Sequence, residues 1–180
     1  GIIIVHLVSV CIAANTTKSI SFETGNKLAV LRFEGEGVSD PLIEHLTEEL
    51  RQSIRDLKIF NVQNQDVTND VHIFHPRSKD YWACWNKECA VDIGRQLRVN
   101  YVIAGNIQKK ENNEFFINGR LFSVDMEMMM NEFAMNSSGI TDSLLFELKK
   151  MAFNVSGLPI PDTLLVDSDT TGINVTENIK

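Results

Sequence analysis

The sequence predicts an α/β domain built as a mixed sheet of about five strands flanked by helices, in the order β-α-β-α-β-β-β-α. Three observations carry this. The apolar run KLAVLRF, Lys27 to Phe33, is followed by a stretch whose leucines recur at helical spacing, and then by a second short apolar run. Strand, helix and strand in that order predict a parallel pair. Further on, the apolar run Tyr101 to Ile107 precedes Phe115 to Val124, which alternates through Phe116, Asn118, Arg120 and Phe122 as a sheet strand with one wet face does.

Taken in order, Lys27 to Phe33 is apolar on successive residues, so the strand is expected to be covered on both faces and central, closing in a loop at Gly35 and Gly37. Ser39-Asp40-Pro41 combines a capping side chain with proline at the first helical position. Leu42, Leu46, Leu50, Ile54 and Leu57 then form one apolar stripe with charges between them. Ile59, Phe60 and Val62 mark a second strand within Lys58 to Gln63, and Asn64 to Tyr81 reads as loop with at most a helical turn. Asn86 is placed to cap a helix that runs to Leu97 with Ala90, Ile93 and Gly94 on its apolar side. After the strand at Tyr101, the polar stretch Lys109 to Glu114 predicts a hairpin connection. A turn at Asp125 to Met128 leads to a strand ending near Ser137, in which Met126 and Met128 to Met130 are expected to act as flexible filling. Gly139 to Asp142 opens a last helix with Leu144, Leu145, Leu148, Met151, Ala152 and Val155 inward and Gly157 at its end. Past Leu158, two prolines and a Ser-, Thr- and Asp-rich composition predict a linker or disordered tail over 159–180. An edge strand at Thr163 to Val166 is the competing reading. The folded domain is therefore expected over 26–158.

The opening run GIIIVHLVSVCIAA, Gly1 to Ala14, carries no charge and contrasts with everything after Asn15. It is shorter than the roughly 20 residues that cross a bilayer and matches the apolar core of a secretory signal. A signal peptide over 1–14, cleaved near Ala13 or Ala14, is the expectation, with a buried first strand as its rival. The basic segment that precedes such a core does not appear before Gly1, so more chain is expected upstream. Cys11 behind Val8-Ser9-Val10 is a candidate lipidation site, although Val10 stands where lipoproteins carry a small residue.

The formal net charge of −7 lies entirely outside this segment, and an acidic surface repels phosphate backbones, which argues against nucleic acid as a partner. Cys84 and Cys89 flank the start of a helix, and in an oxidising compartment such a pair forms a disulfide. The alternative joins them with His72 and His75 in a small metal-binding or enzymatic site, since four such ligands close a structural zinc site; their spacing matches no standard finger. No phosphate-cradling glycine motif and no Gly-x-Ser-x-Gly elbow is present, so no cofactor and no catalytic residue is expected.

Three segments together resemble a known family: KLAVLRF ahead of its amphipathic helix, CWNKECAVDIGRQLRVNYVIAGNI, and FFINGRLFSVD followed by a strand and a helix. They are similar to the family that includes the amino-terminal domain of TolB and the periplasmic domain of the curli-secretion lipoprotein CsgG, over about Asn26 to Leu158. The chain departs from that pattern at Met126-Glu127-Met128, where such proteins usually carry a glycine, and it lacks room for the curli channel's membrane hairpins. The resemblance implies a non-catalytic domain of the bacterial envelope, periplasmic or associated with the outer membrane, that binds or helps assemble another envelope protein.

Overall fold

The computed structural model describes residues 25–68, 84–139 and 141–165. The expected signal segment with Cys11, the two candidate ligands His72 and His75, and the tail past Leu165 lie outside these residues.

One sheet organises the domain. Strands β1 (Lys27–Val30), β3 (Asn61–Val62), β4 (Tyr101–Lys109), β5 (Glu114–Ser123) and β6 (Met128–Ser138) stand in the order β3-β1-β4-β5-β6, with β2 (Glu34–Glu36) paired to β4 beside β1. β1 is parallel to β3 and β4, as the strand-helix-strand order requires, and β4, β5 and β6 form an antiparallel meander. Helices α1 (Asp40–Asp56) and α3 (Thr141–Val155) cover one face and α2 (Lys87–Leu97) covers part of the other. Residues 65–68 are helical.

Alternation along the strands divides the core. Leu28, Val30, Ile103, Ile107, Ile117, Leu121 and Phe133 pack against α1 and α3, whereas Ala29, Leu31, Val102, Ala104 and Phe122 pack against α2. β1 is thus buried on both faces, which is why its apolar residues are continuous rather than alternating. Each fully buried Leu, Ile or Phe contributes about 1.5–3 kcal/mol relative to exposure.

β1 and β2 are one strand interrupted by a bulge, so the expected strand stops short of Phe33 and Gly35 is in a strand rather than a loop. Val30 faces Ile103 and Glu34 faces Asn106, so one extra residue is accommodated between them. The bulge turns the Phe33 N–H off the ladder to Thr47 Oγ1 (3.2 Å), whose hydroxyl donates to the Ile43 carbonyl at 2.7 Å. One turn along α1, Arg51 is 1 % exposed and its Nη2 donates to the Val30 carbonyl at 2.8 Å. Two polar side chains inside the predicted apolar stripe therefore fasten α1 to the broken strand. Ser39 occupies the N-cap position in extended geometry, but its side chain makes no capping bond; Pro41 and the acidic Asp40 begin the helix.

The end of α2 approaches the sheet closely at Gly94, where an added Cβ would lie 2.7 Å from Val102 Cγ2 and collide with Val124. Asn86 caps α2 by accepting from the Cys89 N–H at 2.9 Å. α3 ends at Gly157 in left-handed geometry, and the Leu158 N–H returns to the Phe153 carbonyl at 3.0 Å. The part of the tail that is described makes a 3-10 turn, Asp162–Leu164, in place of an edge strand.

Candidate functional site

α2 covers only the β1, β4 and β5 residues at one end of its face. Farther along the same face the sheet presents a polar row: Glu34 beside Asn106, Asn106 facing Asn118, and Arg120 facing Glu132. Arg120 Nε donates to Glu132 Oε1 at 2.8 Å and Asn118 Nδ2 donates to the same oxygen at 3.4 Å. These two hydrogen bonds, Arg120 first, hold the Glu132 carboxyl below its ordinary range.

The segment leading into α2 sits against this row. Cys84 and Cys89 are joined as a disulfide, with Cα atoms 5.5 Å apart, and Trp85 lies inside that short loop. Its indole faces the Arg120 guanidinium at 3.9 Å, a cation–π arrangement, and its backbone N–H is bound by the Glu34 carboxylate. Burial pushes the Glu34 carboxyl above its ordinary range, and the Trp85 N–H pulls it part of the way back. A sulfur committed to a disulfide is not a thiolate, so the bonded pair offers no zinc ligand. Among the described residues no three His, Cys, Asp or Glu side chains come together at metal-holding distance.

The β5–β6 turn forms a distinct rim. Met126, Met128 and Met129 are 54 %, 47 % and 44 % exposed, so the expectation that these methionines fill a strand is corrected for all but Met130, which packs on the core. Among the described residues β6 is the last strand of the sheet, and a bulge at its start lets the turn project past the core. Glu127 stands at φ 51°, the left-handed geometry that glycine would adopt without strain, and its carboxylate receives Arg95 Nη2 from α2. A surface ion pair thus joins the turn to α2 at its left-handed residue. Between β6 and α3 runs a groove of about 380 Å³ of mixed character, in which Phe133, Met135 and Met151 stand beside the charged Glu132, Glu147 and Lys150.

Sequence reasoning singled out Cys84 and Cys89 but missed Trp85, Arg120, Glu34 and the methionine rim. The one available signal was the placement of a tryptophan between two closely spaced cysteines.

No family model matches the chain, and no curated protein matches it. Solved structures do match. The LpoB carboxyl-terminal domain from Salmonella enterica is similar at TM-score 0.51 and 15 % identity, over 63 % of this chain and 83 % of that one. Lipoprotein GNA1162 from Neisseria meningitidis is similar at TM-score 0.53 and 9 % identity, over 72 % and 94 %. The PelC dodecamer from Paraburkholderia phytofirmans is similar at TM-score 0.50 and 13 % identity, over 81 % and 95 %. At these identities the likeness is one of fold.

Proposed function

We propose that this chain is an exported, non-catalytic domain of the bacterial cell envelope that binds another envelope protein through the β5–β6 rim. The observation that carries the reading is the exposure of Met126, Met128 and Met129 together at one end of the sheet. Long unbranched thioether side chains in water expose apolar surface without fixing its shape, a combination suited to a protein surface that must adapt to it. The apolar opening segment and the resemblance to the TolB and CsgG family support an envelope setting. So does a shared fold with a protein named as a lipoprotein, and the fold's presence in a dodecamer fits a role in assembly.

Photo-crosslinking in cells tests this directly. A photoreactive amino acid at Met129 should give a discrete adduct with a second envelope protein, identified by mass spectrometry, while the same probe at exposed His45 on α1 should not. Equal adducts at both positions, or none at Met129, would sink the rim as a binding surface. Recovery of the protein from the cytoplasmic fraction alone would sink the envelope setting.

A further inference from the structure

The outer edge of β6 has no neighbouring strand among the described residues, and its hydrogen-bonding groups can be assigned one by one. The N–H of Lys110 donates to the Glu114 carbonyl at 2.7 Å, so Glu114 turns its peptide groups toward β4. Alternation then directs those of Phe115, Ile117, Gly119 and Leu121 toward β6. Their partners Ser137, Met135, Phe133 and Asn131 are occupied by β5, which leaves the N–H and C=O groups of Glu132, Ala134 and Asn136 pointing away from the sheet. The Glu132 N–H is met within its own strand by Asn131 Oδ1 at 3.0 Å.

Natural sheet edges are guarded by lysine, proline, inward charge or a bulge. From Asn131 to Ser137 there is no lysine and no proline, the bulge lies before the segment, and the one charge, Glu132, is neutralised by Arg120 of its own chain. The segment Asn131-Glu132-Phe133-Ala134-Met135-Asn136-Ser137 is also nearly symmetric about Ala134 in chemical character. Laid antiparallel on an identical strand with Ala134 facing Ala134, Glu132 of one copy meets Asn136 of the other, Phe133 meets Met135, and Asn131 meets Ser137. Centring the pair on Phe133 instead sets Asn131 against Met135 and Glu132 against Ala134, so the chemistry selects the first register. Phe133 and Met135 lie on the α3 side of the strand, among the residues that line the groove between β6 and α3.

We propose that β6 pairs with β6 of a second copy of this chain about a two-fold axis at Ala134, joining the two six-stranded sheets edge to edge. The pairing needs no other protein, so it stands or fails independently of the binding rim.

Sedimentation equilibrium of the purified protein across a concentration series tests it, with three variants. The wild type should approach the mass of two copies as concentration rises. Ala134→Pro removes an outward N–H that β5 does not use, and Ala134→Lys places like charges across the axis; each should weaken association at least about tenfold with circular dichroism unchanged. Ala134→Cys should crosslink to itself on mild oxidation, because hydrogen-bonded residues across such a pair sit about 5.5 Å apart, within disulfide reach. Where proline disturbs the fold, the lysine and cysteine variants decide. A monomer at every concentration would overturn the proposal and leave the edge to a strand of another protein. Association undiminished in both Ala134→Pro and Ala134→Lys would overturn it as well.

Discussion

Arg51 offers the sharpest test of how α1 is held to the sheet. Its side chain is 2 % exposed, its Nη2 donates to the Val30 carbonyl at 2.8 Å, and its Nη1 meets Glu48, whose side chain is 40 % exposed. Arg51→Met keeps the aliphatic volume and removes the charge. Glu48, half in water, loses little. The Val30 carbonyl loses a buried donor, which costs about 1–3 kcal/mol. Burial is the largest influence on the Arg51 guanidinium and lowers its pKa against the pull of Glu48, so removing the charge returns part of that cost. The net expectation is a loss of about 1–2 kcal/mol, or a fall in Tm of about 2–8 °C for a chain of this size. Arg51→Ala adds a cavity and should lose several kcal/mol, in the range of about 2–5 kcal/mol expected for truncating a core leucine such as Leu50→Ala. Urea melts followed by circular dichroism at neutral pH measure both, with the slope unchanged if only stability has moved. Arg51→Met as stable as the wild type, or more so, would refute the claim that this hydrogen bond ties α1 to the broken strand.

Cys84 and Cys89 should resist alkylation until reduced, and Cys84→Ser should cost about 2 kcal/mol by the chain-entropy account of so short a loop; two thiols alkylated without reductant would rule the bond out. Burial raises the Glu34 carboxyl in the folded state above its unfolded value, so the folded form binds the proton more tightly and stability falls as pH rises from the ordinary carboxyl range through the raised pKa. Glu34→Gln should remove that fall from a series of melts at stepped pH, and a variant profile parallel to the wild type would contradict it. At Glu127, with φ 51°, Glu127→Gly should leave the melting midpoint unchanged or higher, whereas Glu127→Val should lower stability by about 1–2 kcal/mol. Deleting everything after Leu158 should leave a folded domain whose stability in urea melts falls only by the loss of half-buried Ile160, about 1 kcal/mol, and an unfolded product would show that the tail is integral.

The legible parts of this chain were those governed by local period. The stripe on α1, the cap at Asn86, the helix end at Gly157 and the β4–β5 hairpin all rest on neighbours within a few residues, and each stands where the pattern placed it. Arg51 and Thr47 were illegible for the opposite reason. Both sit on α1 as ordinary polar residues, and only the bulge between Val30 and Glu34, set by pairing with a strand some 70 residues away, supplies the peptide groups they bind. The methionines misled because their apolar character says nothing about depth. The bulge at the start of β6 and the left-handed Glu127 carry three of them past the core into water.

By itself the sequence determined the class of the domain, the parallel crossover, the antiparallel meander and the proximity of its two central cysteines, because periodicity and short loops leave few alternatives. Tertiary structure alone decided where the sheet carries its polar row, which strand stands last among the described residues, and that Trp85 stacks on Arg120 across that row. Those outcomes depend on how far α2 reaches over strands remote from it in the chain, and contacts between distant segments leave no period in a single sequence.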